Sequence, residues 1–250
     1  MTPWVRNLLF TNVAVFFLTM NQPGLLNRLA FRGGLMLQEP WTILTYQFAH
    51  AGMGHIFFNM LSLWIFGSRL EARLGGPRFV GLYLFSGFVA AIVSFIATPF
   101  APIVGASGAI FGIMLGYARY WPKDTFLVWG IVPVQARWMV LIMTGMELFM
   151  GGAGIQSGVA HFAHLGGFVG AFIYIWIIER TSPAARFKAM ASGPRPAATT
   201  VNVDRWKTIR TDTMHPVNRQ EVERLLEKLS GPGVTSLTPD ERAFLDRMSA

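Results

Sequence analysis

The chain has 250 residues, of which 52% are apolar and only 14% charged, with a positive mean hydropathy and a formal net charge of +8. Several apolar runs approach the ~20 residues that span a bilayer, which excludes an ordinary soluble enzyme and predicts an all-α, polytopic membrane protein. The absence of cysteine excludes disulfides and thiolate metal sites. The basic residues gather beyond the last apolar run and at alternate membrane edges, a pattern of anchoring against anionic lipid rather than of nucleic-acid binding.

The first apolar run covers residues 5–20, with Arg6 at its front edge. It ends in Asn21-Gln22-Pro23-Gly24 without a small-x-small cleavage site and reads as a membrane helix that is kept, not a signal peptide. Residues 21–52 form a long connection, too polar and broken to span yet rich in large apolar groups such as Phe31, Leu37, Trp41 and Phe48. An amphipathic element lying in the interface fits, with Trp41 at headgroup level. Four more helices are expected over 53–70, 79–97, 104–119 and 136–150, the last after an irregular approach over 128–134, and a sixth over 159–178.

Arg69, Arg73 and Arg78 fall between the second and third helices, and Arg119, Lys123 and Arg137 between the fourth and fifth. These are the cytoplasmic edges by the positive-inside rule, which puts both termini in the cytoplasm. The second, fourth and sixth helices then enter from the outer face, and their polar residues fall at one depth. These are His55 and Asn59, Ser107, and His161 and His164, all within about two turns, roughly 10 Å, of an outer end. Polar groups are costly inside a bilayer and face a water-filled cavity or one another, so three helices carrying them at one level imply a hydrated pocket opening outward.

The contents of that pocket suit acyl transfer. A serine hydroxyl needs a base, which neutral imidazole supplies near pH 7, and the tetrahedral intermediate needs fixed donors. His55 and Asn59, four apart on one helical face, could supply them beside the Ser107 N–H. Gly108, Gly112 and Gly116 form a ladder on the fourth helix, and Gly166 with Gly170 another on the sixth, so two backbones can come close enough for a serine to histidine hydrogen bond. Glu147, near the outer end of the fifth helix, is the one acid at plausible depth and reads as an interfacial residue, which leaves a dyad rather than a triad. Spacing alone leaves His161 and His164 both open as the base. Packing favours His164, which sits against Gly166, Gly167 and Gly170.

Gly105-Ala106-Ser107-Gly108, the His55-x-x-x-Asn59 spacing, the upstream His50 and Ala163-His164-Leu165-Gly166-Gly167 together resemble the rhomboid family of intramembrane serine proteases, over nearly all of residues 1–180. The resemblance implies a six-transmembrane-helix bundle, with Ser107 as nucleophile, His164 as base, and His55 and Asn59 as oxyanion donors. The substrates it implies are other membrane proteins, single-span or polytopic, cleaved in or near their transmembrane segments, with no cofactor and no metal. His161 and His50 are read as auxiliary. The chain departs from the family at Trp41-Thr42, where many members have Trp-Arg, and at Phe111, where some have tyrosine; Phe111 can pack under the imidazole but offers no hydroxyl. A bacterial inner-membrane location is expected.

The competing readings are a catalytically silent rhomboid-like chaperone or retrotranslocation factor, which would lack the nucleophile or base, and a transporter, which would show paired halves and intramembrane carboxylates. A metal site from His50, His55, His161 and His164 is conceivable by ligand type but has no carboxylate or cysteine beside it. Residues 181–217, with Ser192-Gly193-Pro194-Arg195-Pro196, read as a linker. Within 218–250, Val222, Leu225, Leu226 and Leu229 have helical spacing, and Thr238-Pro239-Asp240-Glu241 opens a second helix, so a small soluble helical tail is expected.

Overall fold

The computed structural model describes residues 1–128, 130–153, 160–182, 203–212 and 214–249. The chain divides into two compact units, Met1–Ser182 and Pro183–Ala250. The first is helical apart from one hairpin: α1 (Pro3–Asn21), α2 (Leu25–Leu29), α3 (Thr42–Thr45), α4 (Met53–Leu74), α5 (Gly76–Ala97), α6 (Ser107–Tyr120), β1 (Thr125–Val128), β2 (Val132–Gln135), α7 (Ala136–Gly152) and α8 (His161–Arg180). Among the described residues α5 and α8 are long and apolar enough to cross a membrane.

The buried Glu71 of α4 fixes the start of α1 by accepting from the Thr2 hydroxyl and from the Val5 and Trp4 backbone N–H groups at 2.8 and 3.1 Å. The first N–H groups of a helix have no partner within it, and its N-terminus favours an anion, so one carboxylate answers both needs. Gly75, at φ 81°, ends α4 and turns the chain straight into α5, with Pro77 in the first turn.

The expected interfacial element is instead broken into short pieces, α2, α3 and 3-10 turns at Gly33–Leu35 and Tyr46–Phe48. Part of it faces outward, with Leu37 and Trp41 exposed, but Phe31 and Tyr46 are buried against Ala90, Ala91, Ile103 and Ala163. Phe31 and Ile103 exchange backbone hydrogen bonds at 3.0 and 2.9 Å, the Tyr46 carbonyl accepts from the Gly105 N–H at 2.9 Å, and the Tyr46 hydroxyl donates to the Gly87 carbonyl at 2.7 Å. The connection therefore clamps the loop that leads into Ser107. The expected irregular approach to α7 is an antiparallel hairpin, Thr125 opposite Gln135 and Val128 opposite Val132, with Gly130 at φ 72° in its turn.

The glycine faces pack in a different register from the one the spacing suggested. Gly108 and Gly112 of α6 face α5 first, at Ala90 and Ser86, and α8 next, at the carbonyls of Ala163 and Gly167. Gly166 and Gly170, however, face α5 at Ala90, Val93, Val89 and Ser86. The glycine of α8 that meets α6 is Gly167, because one step along a helix turns a side chain by about 100° and moves it to another face. A Cβ on Gly167 would lie 1.9 Å from the Gly108 carbonyl oxygen, a backbone atom with no rotamer to escape into. Gly167→Ala is therefore expected to cost about 3 kcal/mol or more by forcing α6 and α8 apart. Gly145→Ala, in α7 with open space around its Cβ, should be neutral or slightly stabilising. Thermal unfolding of both variants in detergent checks the contrast, and equal melting temperatures would contradict the packing.

The second unit has its own core. It contains α9 (Val203–Lys207), α10 (Pro216–Ser230) and α11 (Pro239–Met248), with Trp206, Leu225, Leu229, Leu237 and Leu245 buried together. The Trp206 indole N–H donates to Asp246 Oδ1 at 2.8 Å. Thr238 and Glu241 form a reciprocal capping box, the Glu241 N–H donating to the Thr238 hydroxyl at 3.2 Å and the Thr238 N–H to the Glu241 carboxylate at 2.7 Å. The structure thus corrects the extent of the expected linker: Trp206 lies within it by sequence but is a core residue of the tail. The Ser192–Pro196 stretch lies outside the described residues.

Candidate functional site

Ser107 is the first residue of α6, and the approach to it is dictated by Gly105. Gly105 has φ 116°, a conformation that disfavours any side chain, and a Cβ there would lie 2.6 Å from His55 Nε2. Glycine is thus required both for the turn and for the close approach of the His55 ring. Ala106, the residue before the helix, donates its N–H to His50 Nε2 at 3.4 Å. Burial, and then the neighbouring His55 imidazole, pushes the His50 ring down to about 4, so at neutral pH His50 is uncharged and able to accept that bond. The His50 and His55 rings meet edge to face, 5.1 Å between centroids.

On the opposite side of the serine stands α8. His164 Nε2 lies 2.8 Å from Ser107 Oγ, and the His164 ring stacks on Phe111 with centroids 4.2 Å apart and planes 14° from parallel. Phe111 is one turn after Ser107 on α6, so the same helix supplies the hydroxyl and the platform under the imidazole. The phenyl ring fills the place without adding a hydrogen bond.

The other face of the histidines holds a carboxylate. Glu147 of α7 puts Oε1 2.9 Å from His164 Nδ1 and Oε2 2.6 Å from His161 Nδ1. The expectation that Glu147 is an interfacial residue outside the site is therefore corrected: its side chain is only 13% exposed and spans two buried histidines. Sequence spacing gave no signal for this contact, because Glu147 lies 17 residues from His164 on a different helix. A polar residue at membrane depth, with the general cost of burying it unpaired, was the available hint.

Asn59 is buried one turn below His55, and its amide donates to the His55 carbonyl at 2.8 Å. One of its two N–H groups is thus spent within α4, leaving the second as a donor for the site. Ser107, Gly108 and Ala109 occupy the first turn of α6, where backbone N–H groups have no partner inside the helix. The whole assembly comprises a hydroxyl in contact with an imidazole acceptor, an imidazole braced on its far side by a carboxylate and below by an aromatic ring, and free N–H donors at a helix start. Chemically, this can remove a proton from an attacking oxygen and stabilise an oxyanion beside it. Among the described residues no group of three or more His, Asp or Glu converges to hold a metal ion.

Residues 37–181 match the family model described as the Rhomboid domain. Among curated proteins the chain is similar to RHOMBOID-like protein 4 of Arabidopsis thaliana, 34% identical over 158 residues, which cover 59% of this chain and 39% of that protein. It is similar to Rhomboid protease GluP of Bacillus subtilis, 34% identical over 140 residues, 54% of this chain and 25% of that one. Rhomboid protein 1, mitochondrial, of Saccharomyces cerevisiae is 28% identical over 161 residues, 62% of this chain and 46% of its own length. The chain thus spans less than half the length of each of these relatives.

Proposed function

This chain belongs to the rhomboid family, and from that premise we propose that it is a serine-type membrane endopeptidase, hydrolysing peptide bonds in or near the transmembrane segments of other membrane proteins. The observation that carries the reading is the 2.8 Å contact between His164 Nε2 and Ser107 Oγ. In this reading Ser107 is the nucleophile and His164 takes its proton as the acyl-enzyme forms, then returns it to the leaving amine. His55, Asn59 and the Ser107 N–H receive the oxyanion, and His50 and His161 support the site from either side. A silent chaperone of the same fold has no need of a serine held on a histidine, so the protease is the better fit.

The proposed topology has six spans, α1 and α4 to α8, with both termini in the cytoplasm of a bacterial cell and the chain in its inner membrane. The basic residues at alternate helix ends support that orientation. The length of α6 supports the depth of the site. Its 14 residues make about 21 Å, short of the ~30 Å hydrocarbon core, so a helix anchored at the cytoplasmic face starts part-way down. Ser107 then lies below the outer surface, reached by a loop rather than a helix turn. Water must enter there, and a substrate helix must unwind, because its own hydrogen bonds hide the backbone a protease attacks.

Incubating the purified full chain, in detergent or liposomes, with single-span substrates and separately with a fluorophosphonate probe tests the reading. Cleavage and labelling at Ser107 are the expected results; a folded protein that does neither would overturn it. Asn59→Ala tests the oxyanion assignment. Losing one such donor is expected to lower kcat by about two to three orders of magnitude with little change in KM. A wild-type kcat would assign Asn59 to the α4 backbone alone.

A further inference from the structure

We infer that Glu147 is a positioning residue of the catalytic site, holding His164 in the tautomer that can accept the serine proton and holding His161 in the matching one. The inference rests on the protease reading and adds a member to it: serine, histidine and glutamate act together where a serine and a histidine were expected.

The assignment follows from the chemistry of a carboxylate. When ionised, Glu147 can only accept hydrogen bonds. Its two oxygens lie 2.9 Å from His164 Nδ1 and 2.6 Å from His161 Nδ1, so both rings must carry their proton on Nδ1. A neutral His164 with a proton on Nδ1 has its lone pair on Nε2, the atom 2.8 Å from Ser107 Oγ. The serine hydroxyl therefore donates to His164, which is the direction proton removal requires. Without the carboxylate the ring is free to take the other tautomer, with Nε2–H facing the hydroxyl and no lone pair to receive its proton.

The carboxylate also meets the charge that catalysis creates. When His164 takes the proton from Ser107 it becomes an imidazolium in a buried site, where an unpaired cation is costly. Glu147 is already in contact with its far edge. Phe111 restrains the ring from below, so the imidazole is fixed by two contacts at right angles, one in its plane and one against its face. His161 completes the arrangement by occupying the second carboxylate oxygen. It is the first residue of α8 and His164 the fourth, so the two side chains lie one turn apart and the carboxylate bridges them.

The bridge further ties α7 to α8 beside the nucleophile.

Glu147→Leu, Glu147→Gln and Glu147→Asp in the full chain, measured in detergent for melting temperature, kcat, KM and rate of fluorophosphonate labelling, test the role. Glu147→Leu is expected to lower kcat and the labelling rate together by up to about 10⁴-fold, the size of the loss when an orienting carboxylate is removed elsewhere, with KM little changed. Glu147→Asp should recover part of that loss, because it restores the charge but, one methylene shorter, reaches one histidine better than two. Glu147→Gln, nearly isosteric, keeps the fold and gives an intermediate rate: it offers one acceptor and one N–H₂ donor where two acceptors are needed. A purely structural Glu147 would lower the melting temperature without this ordering of kcat. If the wild-type chain labels at Ser107 and a folded Glu147→Leu or Glu147→Gln variant labels equally fast, the positioning role is overturned while the protease reading stands. If the wild-type chain neither labels nor cleaves, the protease reading falls and the role falls with it.

Discussion

Ser107→Ala is expected to leave a folded protein that neither cleaves a single-span substrate nor takes up a fluorophosphonate label. The substitution removes one oxygen from the first residue of α6 and adds nothing to the packing. Alanine is a good helix former, and the contacts that hold His164 in place, Glu147 on Nδ1 and Phe111 beneath the ring, are untouched. The melting temperature should therefore stay within a few degrees of wild type. Activity should fall far more, because in the proposed mechanism the oxyanion donors and the imidazole are left with no nucleophile on which to act. Removing the serine of a comparable constellation costs about 10⁶ in kcat, which takes turnover below detection in a gel-based cleavage assay. Proteolysis at an undiminished rate by this variant would remove the serine mechanism altogether.

The histidine and serine could be found in the sequence for a reason specific to membranes. A bilayer makes every polar side chain expensive, so the few that occur stand out from a background of Leu, Ile and Phe, and the expected helix boundaries assign His55, Ser107 and His164 a common depth. Glu147 obeys the same rule, yet from sequence it reads as interfacial. Its depth was legible, but its direction depends on how α7 is rotated, and the hydrophobic pattern of a helix with exposed Leu141, Ile142, Leu148 and Phe149 does not fix rotation to one residue. The glycines failed similarly. Gly166, Gly167 and Gly170 all read as a close-packing face, but only the three-dimensional arrangement assigns Gly167 to α6 and the other two to α5.

Outside the site the same division holds. Capping at Thr238 is a local matter, written in four consecutive residues, and the box forms with Glu241 as its spacing suggests. The role of Glu71 is non-local: it accepts from residues 66 to 69 positions away, and no pattern within α4 announces it. Trp206 was hidden by its surroundings, since a short helix of five residues in a stretch rich in polar groups carries too little periodicity to detect. The hairpin before α7 carries no clear sequence signal, because each strand has four residues and one contains Pro133, which argues against a central strand but is tolerated in a two-stranded ribbon with open edges.

His164→Ala and His161→Ala should differ sharply, although both histidines are buried and both contact the same carboxylate. His164 reaches Ser107 with one nitrogen and Glu147 with the other, so its removal takes away the proton acceptor and the link between nucleophile and carboxylate in one step. Activity and probe labelling are expected to fall together, by about as much as in Ser107→Ala, because groups that act as a unit lose their effect when any one is removed. His161 contacts Glu147 with Nδ1 at 2.6 Å and lies one turn nearer the start of α8. Removing it leaves the Ser107 to His164 contact in place and frees one carboxylate oxygen, which looser water can satisfy. A loss of about 10-fold or less is the expected consequence, with a KM change if His161 also meets substrate. Measured side by side, the two variants separate the base from its neighbour: an active His164→Ala protein beside an inactive His161→Ala protein would transfer the role of base to His161.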